Sequence, residues 1–160
     1  FDRLIEARRW DVYRDGFEDG AAFDAYLEDT GAGLMWLAAL ACGAGPGAEA
    51  AVRAYGWAAA LAAYLRAVPD LEARGRLPLP DGRPGAVRAL ARRGLARLAE
   101  ARAARASVGA AAPALLAGWQ AEPLLRQAAR EPGLVAAGGL HLSEFSRRGR
   151  LLWQTLSRRW

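Results

Sequence analysis

A chain of 160 residues, 53% hydrophobic and 24% charged, has the composition of one globular domain, which argues against a disordered chain and against two full domains. Its 22 basic residues are all Arg and meet 17 acids for a net charge of +5, while Ala occurs 39 times and Ile, Val and Thr together supply 9 residues. With so few β-branched side chains a mainly β fold is all but excluded, and the expected class is all-α.

In chain order, the first helix is expected to run to about Asp15, where Gly16 ends it. A second is expected from Ala21 to Cys42, closed by the turn Gly43-Ala44-Gly45-Pro46-Gly47. A third begins after Pro46, is apolar from Ala50 to Leu65, and is expected to kink or stop at Pro69, which lacks the amide a helix interior requires. Residues 75–82 read as a stiff loop, and Pro84 suits the first turn of a fourth helix running to about Arg105. A small-residue link over 108–112 leads to a fifth helix from Pro113 to about Arg130, and Ser143 is placed to cap a sixth that ends near Arg158. The longest apolar stretches, Leu34 to Cys42 and Trp57 to Leu65, fall short of the roughly 20 residues a spanning helix needs.

Charge is split along the chain: residues 1–50 carry 4 Arg against 10 acids, and residues 51–160 carry 18 Arg against 7 acids. The early acids, among them the i,i+4 pair Asp11 and Asp15 and the next step to Asp19, read as solvated helix faces rather than a metal cluster. Arg-only basicity beside abundant Ala, Gly and Leu reflects GC-rich coding, so no nucleic-acid partner is expected. One cysteine, Cys42, and one histidine, His141, build neither a disulfide nor a zinc site, which fits a reducing compartment such as a bacterial cytoplasm. His141 has no catalytic partner nearby in sequence and reads as a surface residue. Residues 143–160 interleave Arg147, Arg148, Arg150, Arg158 and Arg159 with Leu151, Leu152, Trp153, Leu156 and Trp160. This basic amphipathic end is suited to an anionic membrane surface or a protein partner, and packing on the bundle is the expectation preferred. The chain starts at Phe1 without a leader, so it is expected to be processed or a piece of something longer.

Several segments occur in a telling order: Leu4-Ile5-Glu6 and Asp11, Tyr26 before a small-residue stretch, Gly56-Trp57-Ala58, Leu65-Arg66, Gly75-Arg76 and Leu79-Pro80. In this the chain resembles the squalene and phytoene synthase family. The resemblance implies an all-α bundle of the isoprenoid synthase type, with residues 1–160 a single domain equivalent to the family's later part. Its first aspartate-rich motif would lie before Phe1. In such enzymes two aspartate-rich helices hold magnesium and the diphosphates of two prenyl substrates.

The third helix of the family reads G-x-A-x-Q-L-x-N-x-x-R-D, followed by an acidic pair and G-R-x-Y-L-P. Gly56, Ala58, Leu61 and Arg66 match, but Ala60 replaces the Gln, Ala63 the Asn and Ala67 the first Asp. The acidic pair becomes Asp70-Leu71, and Pro78 replaces the Tyr. Positions 60, 63, 67, 70 and 74 share one helical face, and magnesium needs hard oxygen ligands that three methyl groups do not supply. The resemblance thus places Tyr26, Ala60, Ala63, Arg66, Ala67, Asp70 and Arg76 at the substrate cavity, with Arg66 and Arg76 suited to a diphosphate or, more plainly, to salt bridges with Asp70, Glu72 or Asp81. The expected role is lipid binding or scaffolding without a cofactor, as in the family's branch that resembles an assembly factor for respiratory complex I. The alternative is a magnesium-dependent prenyltransferase completed by sequence upstream of Phe1.

Overall fold

A computed structural model describes residues 2–10, 16–157 and 160, and among them it contains helices and no strand. The helix α1 covers Asp2–Arg9, and the expected helix stop at Asp15, like Asp11, lies outside the described residues. A continuous helical rod follows: α2 (Gly20–Leu27), a π-helical turn (Glu28–Ala32) and α3 (Gly33–Ala41). Its start is capped by Asp19, whose carboxylate accepts the Ala22 amide at 2.8 Å. Its end is set by Gly43 at φ +87°, where the amides of Gly43 and Ala44 return to the carbonyls of Leu40 and Ala39.

After a 3-10 turn at Pro46–Ala48 comes α4 (Glu49–Ala73), the axis of the molecule. Trp57, Leu61, Leu65 and Val68 on it are almost fully buried, each side chain contributing about 1.5–3 kcal/mol. The expected stop at Pro69 does not occur, and α4 runs one more turn to Ala73. Pro69 lies near the end of α4, so the backbone bond it forfeits is among the last. Val68 beside it is buried in the core, and that anchorage outweighs the loss. The true end is Gly75, at φ +74°, with the amides of Gly75 and Arg76 bonded to the carbonyls of Glu72 and Leu71.

Helix α5 (Pro84–Ala103) packs along α4 and is followed by α6 (Arg105–Val108). The expected fifth helix from Pro113 to Arg130 is broken into α7 (Ala112–Leu115), a 3-10 turn (Leu116–Gly118) and α8 (Ala121–Arg130). The break lets Gly118 lie flat on α4: a Cβ there would stand 2.6 Å from the Tyr55 ring and 2.9 Å from the Ala59 methyl. A short α9 (Gly133–Ala136), not foreseen, precedes α10 (Glu144–Ser157). Ser143 caps α10 as expected, accepting the Ser146 amide at 3.3 Å. The expected packing of this helix on the bundle is not found, since none of its residues is buried. Only Trp160 beyond it enters the core, edge-on to Tyr55 at 5.1 Å. No helix among the described residues is long and apolar enough to cross a membrane.

Two devices hold the layers together. The first is a crossing without side chains between the rod and α4. A Cβ on Gly31 would lie 2.1 Å from the Ala60 methyl, and one on Gly56 would lie 2.7 Å from Met35 Cβ and 2.9 Å from Ala32 Cα. The second is Glu122, which accepts from Arg102 at 2.9 Å and Arg126 at 2.6 Å, while the Arg102 Nε donates to the Trp160 carbonyl at 3.2 Å. Burial alone would raise the Glu122 carboxyl pKa, but the hydrogen bonds from both arginines outweigh it and hold the pKa below its ordinary value.

Gly31→Ala should therefore destabilise the fold by about 1–3 kcal/mol, as overpacking does. Gly33→Ala, whose Cβ would meet only the Glu28 carbonyl at 3.4 Å, should be neutral or gain up to about 1 kcal/mol from helix propensity. Chemical denaturation of the two variants checks the contrast. Because the folded Glu122 binds its proton less readily than the unfolded one, its stabilisation is present above the ordinary carboxylate value of 4.5 and is lost as pH falls below it. The difference in melting temperature between wild type and Glu122→Gln should shrink over that acid range.

Candidate functional site

Beside the crossing of the rod and α4 lies an open cleft of about 490 Å³. One wall is the face of α4 bearing Gly56, Ala59, Ala60 and Ala63, residues spaced three and four apart. The facing wall comes from the rod: Tyr26, Thr30, Gly31, Leu34, Met35 and Ala38. Arg8 of α1 is the one charged residue in the described lining, which includes no carboxylate. The π turn belongs to this wall, as such turns often do at functional sites. Its buried Thr30 hydroxyl donates to the Tyr26 carbonyl at 2.6 Å, so the polar group is satisfied locally.

An aromatic cluster closes one end. Tyr26 and Tyr64, both buried, line the cleft and meet at 5.9 Å between ring centroids. Behind them Trp10 stacks on Phe17 at 4.1 Å, and Phe23 packs edge-on to Tyr64 at 5.0 Å. The Tyr64 hydroxyl donates to the Pro78 carbonyl at 2.9 Å, which ties the loop after α4 to the cluster. The Arg76 guanidinium lies 4.1 Å over the Trp10 ring and donates to the Trp10 carbonyl at 2.6 Å.

Of the seven residues expected at the cavity, Tyr26, Ala60 and Ala63 come together on the cleft. Arg66 lines a smaller groove of about 100 Å³ that shares Ala59 and Ala63 with it, and donates to the Gln120 side-chain oxygen at 3.2 Å. Ala67, Asp70 and Arg76 line neither. Asp70 is exposed and makes no hydrogen bond or ion pair among the described residues. Asp81, a suggested partner of the two arginines, holds Arg83 at 2.7 Å instead; those bonds pull its carboxyl pKa down to about 2. His141 is exposed, and so is the free thiol of Cys42.

The cleft residues that sequence reasoning did not single out are Thr30, Gly31, Leu34, Met35 and Tyr64. The run Thr30-Gly31-Ala32-Gly33 held a signal, since two glycines inside a helical stretch mark close packing or a distorted turn.

For magnesium, the stripe of Ala60, Ala63, Ala67 and Asp70 offers one carboxylate. Among the described residues no three His, Cys, Asp or Glu side chains are grouped to hold a metal ion. This donor set does not fit a magnesium–diphosphate clamp.

Comparison with known proteins places the chain. A family model described as squalene/phytoene synthase matches residues 1–154. No curated protein and no solved structure shows significant similarity to the chain. The match takes in all but the last turn of α10, and the all-helical architecture agrees with it: the chain belongs to the squalene/phytoene synthase family and has its isoprenoid-synthase fold.

Proposed function

We propose that this domain holds the hydrocarbon chain of a prenyl or other lipid in the alanine-walled cleft and does not itself transfer prenyl groups. The observation that carries the reading is the chemistry of the lining, which is methyl groups, aliphatic side chains and two tyrosines, with no carboxylate. A volume of about 490 Å³ lies within the roughly 300–1,000 Å³ usual for small-molecule sites. Apolar surface buried there contributes about 25 cal/mol per Å², so an extended alkyl or isoprenoid chain gains affinity from length alone. Prenyl transfer asks for something else. A departing diphosphate builds negative charge that preorganised cations must meet, and the lining offers only Arg8. Arg76, one of the two arginines suited to that task, is engaged with Trp10.

Calorimetric titration with a non-hydrolysable farnesyl diphosphate analogue and with farnesol, each with and without magnesium, separates the readings. Both ligands should bind, with affinities that magnesium changes less than about threefold, well under the tenfold that 1.4 kcal/mol represents. Binding that demands both magnesium and the diphosphate would establish the prenyltransferase instead, and no binding of either would leave a scaffold.

Ala63 is exposed at the cleft, so Ala63→Phe should fold normally. It should weaken both ligands by about tenfold by filling the space they need.

A further inference from the structure

The orientation of α10 is the reverse of a packed surface helix. Phe145, Gly149, Leu152 and Leu156 recur at i, i+4, i+7 and i+11, with Trp153 beside them. The side chains of this stripe point outward: Phe145, Leu152, Trp153 and Leu156 are 62–89% exposed. The inward side carries Gln154, half-buried, whose side-chain oxygen is enclosed without a hydrogen-bond partner.

Both ends are held down. Leu140 is buried just before the Ser143 cap, and Trp160 is buried just after, its carbonyl bound by Arg102. The helix therefore lies along the bundle with its apolar stripe facing out.

We infer that α10 is a docking helix for an anionic lipid surface. Charge decides the occupant. Arg148 flanks the stripe on one side and Arg150 on the other. Glu144 pairs with Arg147 and Arg148 but cannot balance three arginines. In sequence Arg158 and Arg159 follow. A second copy of the chain would set these cations against their own kind, whereas phosphate headgroups neutralise them while the stripe enters the acyl boundary. Trp153 at the edge of the stripe is the side chain that settles best at the headgroup level. The inference is independent of what fills the cleft.

Flotation with phosphatidylcholine vesicles, and with vesicles containing about 30% phosphatidylglycerol, tests it. The chain should bind the anionic vesicles at least about tenfold more tightly, with affinity falling as salt rises. The double variant Leu152→Glu with Leu156→Glu changes only exposed positions, so it should keep its melting temperature and lose vesicle binding. Arg148→Glu with Arg150→Glu should abolish the preference for anionic vesicles, and Ala63→Phe should leave binding unchanged. Failure of the wild type to float with either vesicle would overturn the inference. So would a sedimenting dimer that the leucine variant converts to monomer while vesicles stay unbound, since a second copy would then be what covers the stripe.

Discussion

The absence of side chains where the α2–α3 rod crosses α4 governs the rest of the structure. Helices separated by ordinary side chains sit about 8–10 Å apart; here Gly31 meets Ala60, and Gly56 meets Ala32 and Met35, with no room for one more carbon. The approach seats α4 against the rod so that its next exposed face is the run of Ala59, Ala60 and Ala63. Ala60 is half-buried at the crossing, and Ala63, less than a turn further, is already exposed. The cleft occupies the space where that cover runs out, and its methyl-lined wall continues the surface that makes the crossing.

That continuity bears on how a transferase site is lost. On a helix face whose neighbours are backbone and methyl groups, long polar side chains have few partners for their hydrogen bonds, and a buried polar group without one costs about 1–3 kcal/mol. Alanine at 60 and 63 avoids that cost. Arg76, which the family resemblance assigns to substrate, serves the Trp10–Phe17 stack, where its charge meets a ring face and a carbonyl. Both changes move residues from chemistry toward packing.

The helices and their ends were largely legible from sequence, because Gly43, Gly75, Pro84 and Ser143 each act through the backbone of their own segment. The alanine stripe was legible for the same reason, as spacing alone puts 60 and 63 on one face. What was not legible depended on tertiary contacts. Pro69 was read as a stop by local rules, yet the burial of Val68 carries α4 past it. The break at Gly118 exists because α4 offers Tyr55 and Ala59 as a seat for bare backbone. The amphipathic pattern of α10 was plain, but a pattern does not say which face turns inward. The reach of Arg76 depended on where Trp10 lies, 66 residues away in the chain.

The π turn has a consequence for register. Phe23, Leu27 and Thr30 are buried at helical spacing, and an uninterrupted α-helix would continue that line through Leu34 and Ala38. Those two are exposed to the cleft, while Met35 and Ala39, each one residue later, take the inward places. The turn acts as a one-residue insertion within the rod. Removing a residue from Glu28–Ala32 would rotate everything after it by about 100°, carrying Leu34 into the crossing and taking the apolar wall out of the cleft. Cleft and core thus share one register, and a single codon gained or lost in this segment would exchange them.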